Sequence, residues 1–227
     1  MKREIRLTGD HSSTLFVPEL DEHYHSVHGA LQESLHVFLR SGLDEFKNGK
    51  SHIHILEVGL GTGLNAWLSL EEALKHSLHI RYTALEKYPL ENHEVEQLNY
   101  AHQLDGHVEY FTAIHEAQWG KEAQLFKSAK ASFSLHKIKT DLKEFKSEPR
   151  FDLIYFDAFA PSAQPDLWTA SIFTNMFQAL KPGGLLVTYC VKGEVRRAMQ
   201  EAGFAVEKIP GPPGKREMAR AWKKTDV

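Results

Sequence analysis

A single cysteine, Cys190, in 227 residues excludes an intramolecular disulfide framework and a cysteine-rich zinc site. Long apolar runs are missing as well. The longest nearly apolar stretches, around 152–160 and 184–191, fall well short of the ~20 residues that span a bilayer. Basic residues near the start, Met1-Lys2-Arg3-Glu4-Ile5-Arg6, have no apolar run behind them, so no signal peptide is expected. No internal repeat, low-complexity tract or Pro/Ser-rich linker divides the chain. What is present is globular: 42% hydrophobic, 11% aromatic and 25% charged residues. One cytoplasmic structural domain is the expectation.

Excess charge of either sign is also lacking. Twenty-seven Lys/Arg against thirty Asp/Glu leave a formal charge of −3, which argues against a broad basic face coating nucleic acid. The average hides an asymmetry. Residues 192–227 hold nine basic and five acidic side chains, a net of +4, and the preceding residues carry −7. A nucleic-acid partner is disfavoured by the sum and permitted by the C-terminal end.

From about residue 52, short β-rich runs alternate with helical patterns, the mark of a parallel sheet covered by helices. Strands are expected at 52–58, 79–85, 134–139, 151–156 and 185–191, and helices at about 64–74, 89–101, 166–180 and 193–202. The insertion 103–131 reads as mostly helical. The last two runs, 204–209 and 217–222, are joined by Pro210-Gly211-Pro212-Pro213-Gly214 and neighbours, too short for a crossover helix, so they must be antiparallel. A doubly wound α/β sheet of seven strands ending in an antiparallel hairpin is the class I methyltransferase (Rossmann-like) pattern. Residues 1–50 are expected to form a substrate-side extension packed on a core of residues 51–227.

Glu57-Val58-Gly59-Leu60-Gly61-Thr62-Gly63-Leu64-Asn65 lies at the first strand-to-helix junction. Glycines there let the backbone turn sharply and a ligand approach closely. The spacing is G-x-G-x-G, not the G-x-G-x-x-G that seats a pyrophosphate. S-adenosylmethionine carries no phosphate. Backbone amides at the helix start suit its carboxylate, and Glu57 suits its cationic end. Glu86, followed by Lys87 at the end of the second strand, is placed for the ribose hydroxyls, and Asp141 after the third for the adenine amino group.

Asp157-Ala158-Phe159-Ala160-Pro161-Ser162-Ala163-Gln164-Pro165-Asp166-Leu167-Trp168 resembles the D-x-F-A-P-x-x-x-P-x-x-W segment of the MnmC methyltransferase domain and its stand-alone MnmD relatives. Residues 19–38 (Asp21, Tyr24, Ser26, Gly29, Glu33, Ser34, His36, Val37, Phe38) resemble the family's N-terminal signature. Gly59 to Asn65, Val195-Arg196-Arg197 with Glu201-Ala202-Gly203-Phe204, and Gly214-Lys215-Arg216-Glu217-Met218 match further segments. Leu39-Arg40-Ser41-Gly42-Leu43 departs from the Gly-Asn turn of the pattern.

The resemblance spans roughly residues 5–222. It implies methyl transfer from S-adenosylmethionine to the amine of 5-aminomethyl-(2-thio)uridine in the tRNA anticodon stem-loop, without the flavin oxidase step of the two-domain enzyme.

On that reading Asp157 orients the amine or accepts its proton, with the alternative that it only caps the turn and contacts cofactor. Backbone carbonyls of 158–161, ending at Pro161, are expected to take the other amine hydrogen, and Phe159 to face the cationic centre. Lys192, Arg196, Arg197, Lys215 and Arg216 are the candidates for phosphate contacts, with Arg196 and Arg197 otherwise a solvated helix face. A flipped uridine would stack on Tyr24, Phe159 or Trp168, although Trp168 equally suits helix core. Ser26 and Glu33 complete the substrate side.

The histidine pairs and triplets, His23/His25/His28 and His52/His54, lack companion carboxylates at convincing spacing, so no metal is expected. Other readings are methylation of a small amine or another RNA, a flavin or nicotinamide oxidoreductase acting on CH–NH groups, and an inactive cofactor-binding scaffold. The turn spacing and terminal hairpin speak against the oxidoreductase.

Overall fold

The computed structural model describes residues 1–225. It opens with β1 (Glu4–Leu7), β2 (Ser13–Val17) and β3 (Glu22–His23), paired antiparallel in that order. A continuous helical stretch follows: α1 (Ala30–Ser34), a π-helical segment (Leu35–Leu43) and α2 (Asp44–Lys47). No turn breaks it at residues 39–43, where the sequence departs from the family pattern. Val37, Phe38, Leu39 and Leu43 bury against the sheet, and an added Cβ on Gly42 would stand 3.2 Å from the Val187 Cγ2.

The remaining chain runs through β4 (His52–Val58), α3 (Leu64–His76), β5 (His79–Glu86), α4 (Asn92–Val95), α5 (Tyr100–Gln103), α6 (Val108–Glu116), β6 (Glu122–Lys127), β7 (Ser132–Lys139), β8 (Phe151–Phe156), α7 (Ala170–Ala179), β9 (Leu180–Thr188), α8 (Gly193–Glu201), β10 (Ala205–Pro210) and β11 (Glu217–Trp222). These strands form one sheet in the order β10-β11-β9-β8-β4-β5-β7-β6. β4 lies parallel to both β5 and β8, β5 to β7, and β8 to β9. β11 is antiparallel to both β9 and β10, so the terminal hairpin is present as expected.

Burial on both faces explains the β-rich, weakly alternating sequences of the central strands. All six residues of β8 are buried. One face packs Ile53, Ile55, Tyr82 and Leu153 under α3 and the 30–47 helical stretch, with Trp67 and Phe38 as large fillers. The other packs Leu56, Val58, Ile154 and Phe156 against Phe173, Met176, Val195 and Met199 of α7 and α8. The chain steps from β4 to β5 on one side and reaches β8 on the other. The order therefore reverses at β4 and opens a crevice at the carboxyl ends of these strands.

Three expectations need correction. The sheet has eight strands, because β6 adds antiparallel to β7 inside the insertion expected to be helical. Glu, Gln, Lys and Ala dominate that strand, so its existence rests on pairing at the sheet edge and on the Arg81–Glu122 ion pair, not on propensity. The helix expected over 89–101 is two single turns, the first closed by a reciprocal Glu91/Glu94 capping box. The helix expected from 166 begins at 170, where the Thr169 side chain accepts the Ile172 amide.

Asp152, buried on β8, ties three elements together. It accepts from Lys50 Nζ at 2.7 Å, the His54 amide at 2.9 Å and Lys181 Nζ at 3.0 Å. Burial alone pushes its carboxyl up. The bonds from Lys50, His54 and Lys181 outweigh that, so its pKa falls below the ordinary 3.8. A depressed carboxylate stabilises the fold above the unfolded-state pKa and ceases to do so as pH falls through the folded one. Asp152→Asn should therefore cost about 1–3 kcal/mol at pH 7. In denaturant titrations the deficit should close as pH falls below about 4.

Candidate active site

A cavity of about 720 Å³ fills the crevice at the carboxyl ends of β4, β5, β7 and β8, roofed by residues 20–27 of the N-terminal segment. Its size lies inside the range of small-molecule sites, roughly 300–1,000 Å³. The glycine turn makes its floor. Gly59 and Gly61 have φ of 86° and 49°, the left-handed region that favours glycine. Contacts forbid side chains as well: a Cβ on Gly59 would stand 2.8 Å from the Asp157 carbonyl oxygen, and one on Gly61 3.0 Å from the Tyr24 ring. The turn leads into α3, whose N-terminus has no side-chain cap, leaving its amides for a ligand anion.

Glu86 ends β5 with both carboxylate oxygens pinned, Oε2 by the Gly61 amide at 3.0 Å and Oε1 by the Tyr88 amide at 2.7 Å. Each oxygen keeps a further lone pair for a hydroxyl. Asp141 receives Lys87 Nζ at 2.7 Å and the Lys143 amide at 3.0 Å. The Lys87 bond, then the Lys143 amide, hold its carboxyl below the usual range. Both residues line the same wall.

Asp157 follows β8. Asn65 Nδ2 donates to its Oδ2 at 3.0 Å. Burial first, and then the Glu33 charge, raise its carboxyl to about 7 against the opposing effects of Asn65 and Lys215. Beside it Tyr24 and Phe159 meet edge to face, with centroids 5.0 Å apart. Arg3 holds Tyr24 in place: its Nε donates to the hydroxyl at 2.9 Å, and its guanidinium is bonded to Glu94.

The cavity wall gathers Gly59, Gly61, Leu64, Asn65, Glu86, Lys87, Asp141, Asp157, Phe159, Tyr24, Ser26, Glu33 and Lys215 of the expected residues. The others fall elsewhere. Glu57 is fully buried beneath the turn and outside the wall. Burial first, and the Asp157 charge next, raise its carboxyl well above the ordinary range. Gly63 serves as the N-cap of α3, against the His115 ring.

Pro161 is buried behind the loop. Trp168 is only 4% exposed, packed on Phe156 and Tyr189, and its indole N–H donates to the Phe159 carbonyl at 2.8 Å. It braces the loop and has no free face for a base. The loop carbonyls are themselves engaged: Ala158 O by the Tyr189 hydroxyl at 2.8 Å, Phe159 O by Trp168, and Ala160 O by the Ala163 and Gln164 amides. Lys192, Arg197 and Arg216 are exposed outside the cavity, and Arg196 is half-buried.

Tyr189 and Arg3 have no motif to announce them, and His25 stands only in a histidine triplet that lacks companion carboxylates for a metal; the fold brings all three here. His25 is half-buried, and desolvation of its ring depresses the imidazole pKa to about 4, leaving it neutral. Among the described residues no group of three or more His, Cys, Asp or Glu is arranged for a metal ion, and no helix is long and apolar enough to cross a membrane.

The donor set suits S-adenosylmethionine. The uncapped helix start matches a carboxylate, the Glu86 oxygens match vicinal hydroxyls, and Asn65 Oδ1 is a buried acceptor without a protein partner.

A carboxyl with a folded pKa near 7 and an unfolded value of 3.8 binds its proton more tightly when folded, so stability declines as pH rises between those values. Asp157→Asn removes that penalty. The cofactor-free variant should melt higher than the parent at pH 8, by roughly 2–4 °C for each kcal/mol relieved, and the gap should narrow at pH 5. Thermal melts at both pH values read this directly.

Comparison with known proteins agrees with this geometry. The model of an S-adenosyl-L-methionine-dependent methyltransferase family matches residues 102–224. The bifunctional tRNA 5-methylaminomethyl-2-thiouridine biosynthesis protein MnmC of Cupriavidus necator is 30% identical over 219 residues, 91% of this chain and 32% of that protein. MnmC of Azoarcus sp. (strain BH72) is 32% identical over 206 residues, 87% of this chain and again 32% of the relative. The chain thus spans about one third of the length of these relatives. The crystal structure of MnmC2 from Aquifex aeolicus superposes with a TM-score of 0.80 at 26% identity, covering 100% of this chain and 71% of the other. The chain belongs to the S-adenosyl-L-methionine-dependent methyltransferase family that includes the methyltransferase domain of MnmC.

Proposed function

We propose that this chain methylates the primary amine of 5-aminomethyl-(2-thio)uridine at the tRNA wobble position, giving the 5-methylaminomethyl product without an oxidase step. The observation that carries this reading is the Asp157 carboxyl, raised to about 7 at the base of an aromatic-walled cavity. The names of the MnmC relatives, tRNA 5-methylaminomethyl-2-thiouridine biosynthesis proteins, support the substrate class. The proposed setting is the cytoplasm, with residues 1–50 forming the substrate side of a core spanning 51–227.

Bound S-adenosylmethionine supplies an electrophilic methyl group. In this proposal the α3 N-terminus receives its carboxylate, Glu86 its ribose hydroxyls and the Asp141 side its adenine, with Asn65 linking cofactor and Asp157. An alkylammonium has no lone pair for attack. The Asp157 carboxylate accepts one amine hydrogen, fixes the direction of the lone pair and takes up the proton. Tyr24 and Phe159 offer faces for the base and its cationic substituent. Alignment, not strong base chemistry, supplies most of the rate. Exposed Lys192, Arg197 and Arg216 contribute phosphate contacts.

Asp157→Ala should lower kcat by about 10²–10³-fold while S-adenosylmethionine affinity changes little in a direct titration. A loss of affinity with normal turnover per bound cofactor would make Asp157 structural. In the parent, kcat/KM should rise as pH passes about 7, following loss of the Asp157 proton. Arg197→Ala and Arg216→Ala should each weaken tRNA binding and reduce the slope of log K against log salt by about 0.7–0.9. The decisive experiment is nucleoside analysis of tRNA from a deletion strain. Unchanged 5-methylaminomethyl-uridine, with no second enzyme making it, refutes the substrate assignment.

A further inference from the structure

Loop carbonyls 158–160 already accept hydrogen bonds within the protein, and an ammonium with three donors is served by acceptors besides Asp157. The cavity holds one. Glu33 is buried at 6% exposure; its Oε2 accepts the Ser26 amide at 2.7 Å, and its Oε1 is bonded by Lys215 Nζ. The same ammonium lies 4.0 Å from the centroid of Tyr189. Tyr189 is itself anchored, through its hydroxyl, on the Ala158 carbonyl next to Asp157. A fixed carboxylate and an aromatic face around one R–CH2–NH3+ group form an alkylammonium cage. All three side chains line the cavity that holds Asp157.

We propose that Glu33 and Tyr189 form the alkylammonium subsite of the enzyme, and that Lys215 fills it as an internal stand-in until a cationic substrate displaces it. This rests on the reading of the substrate as a primary amine. Lys215 and an aminomethyl group present the same functional group, so they compete for one place. Lys215 suits displacement. It sits in the hairpin loop between β10 and β11, its side chain is one-third exposed, and Glu33 is the hydrogen-bond partner of its Nζ among the described residues.

Exchange also explains selectivity. Leaving a buried carboxylate unpaired is strongly unfavourable. A neutral or anionic ligand that pushes Lys215 out strands Glu33, whereas an ammonium replaces the lost partner. Once released, Lys215 is a free cation at the cavity mouth, on the same hairpin as Arg216, where it can meet a phosphate.

The test compares 5-aminomethyluridine with 5-hydroxymethyluridine as free nucleosides, titrated calorimetrically into the S-adenosylhomocysteine-saturated protein. The parent should prefer the amine by about tenfold or more. Lys215→Met, which keeps the stem and removes the charge, should tighten binding of both nucleosides by about five- to tenfold, because neither then has to break the Lys215–Glu33 pair, and should leave the preference for the amine in place. Glu33→Gln should reduce the preference to near unity. A merely structural latch predicts weaker binding of both nucleosides in both variants, and that outcome overturns the proposal. So does an unchanged preference in Glu33→Gln. S-adenosylhomocysteine affinity, measured on each variant, reports whether it is folded. The outcome is separable from the tRNA assignment: amine preference without tRNA methylation leaves the cage and removes the substrate, and tRNA methylation without amine preference does the reverse.

Discussion

Val58 ends β4 and Asp157 follows directly on the neighbouring parallel β8, with the Asp157 amide donating to the Val58 carbonyl at 3.1 Å. The Asp157 carbonyl oxygen occupies the space that a Cβ on Gly59 would need. That apposition at the reversal of strand order opens the crevice, orients the glycine turn and fixes where the acidic side chain emerges. A residue larger than glycine at position 59 would push the two strand ends apart. The glycine floor of the cavity and the Asp157 carboxyl would then separate together. Two walls of the cavity share one backbone contact.

Around this point the molecule concentrates acids. Glu33, Glu57, Glu86, Asp141 and Asp157 gather at one end of the sheet, and their environments assign them different states. Burial, reinforced by the Asp157 charge, raises the Glu57 carboxyl well above its ordinary range. Asp141 is held as an anion by Lys87 and the Lys143 amide, and Asp157 is poised between. The N-terminal segment is part of the arrangement, supplying Tyr24, Ser26 and Glu33 to the wall. Arg3 steadies Tyr24 within that segment and fastens the segment to α4 through Glu94.

Much of this was legible beforehand. The parallel core, the terminal hairpin and the glycine turn follow from strand length, periodicity and connection length, which act locally. Asp157, Glu86 and Asp141 could be found because strand ends in this topology converge. Burial depth could not be read. Glu57 and Trp168 carry functional residue types yet point into the interior, and nothing in a linear pattern distinguishes the two sides of a turn. β6 was hidden for a related reason: its pairing comes from a neighbour and its own residues are poor strand formers. Tyr189 went unnoticed because only folding sets it against Ala158 and Lys215.

The burial of Glu57 changes what the charge count means. A formal −3 treats every ionisable group alike, but burial raises the Glu57 and Asp157 carboxyls above their ordinary ranges and lowers the His25 and His115 imidazoles below theirs. Desolvation moves buried groups of both signs toward their neutral forms. The charge that the native molecule presents to a partner is therefore that of its exposed side chains, and not a sum over the sequence.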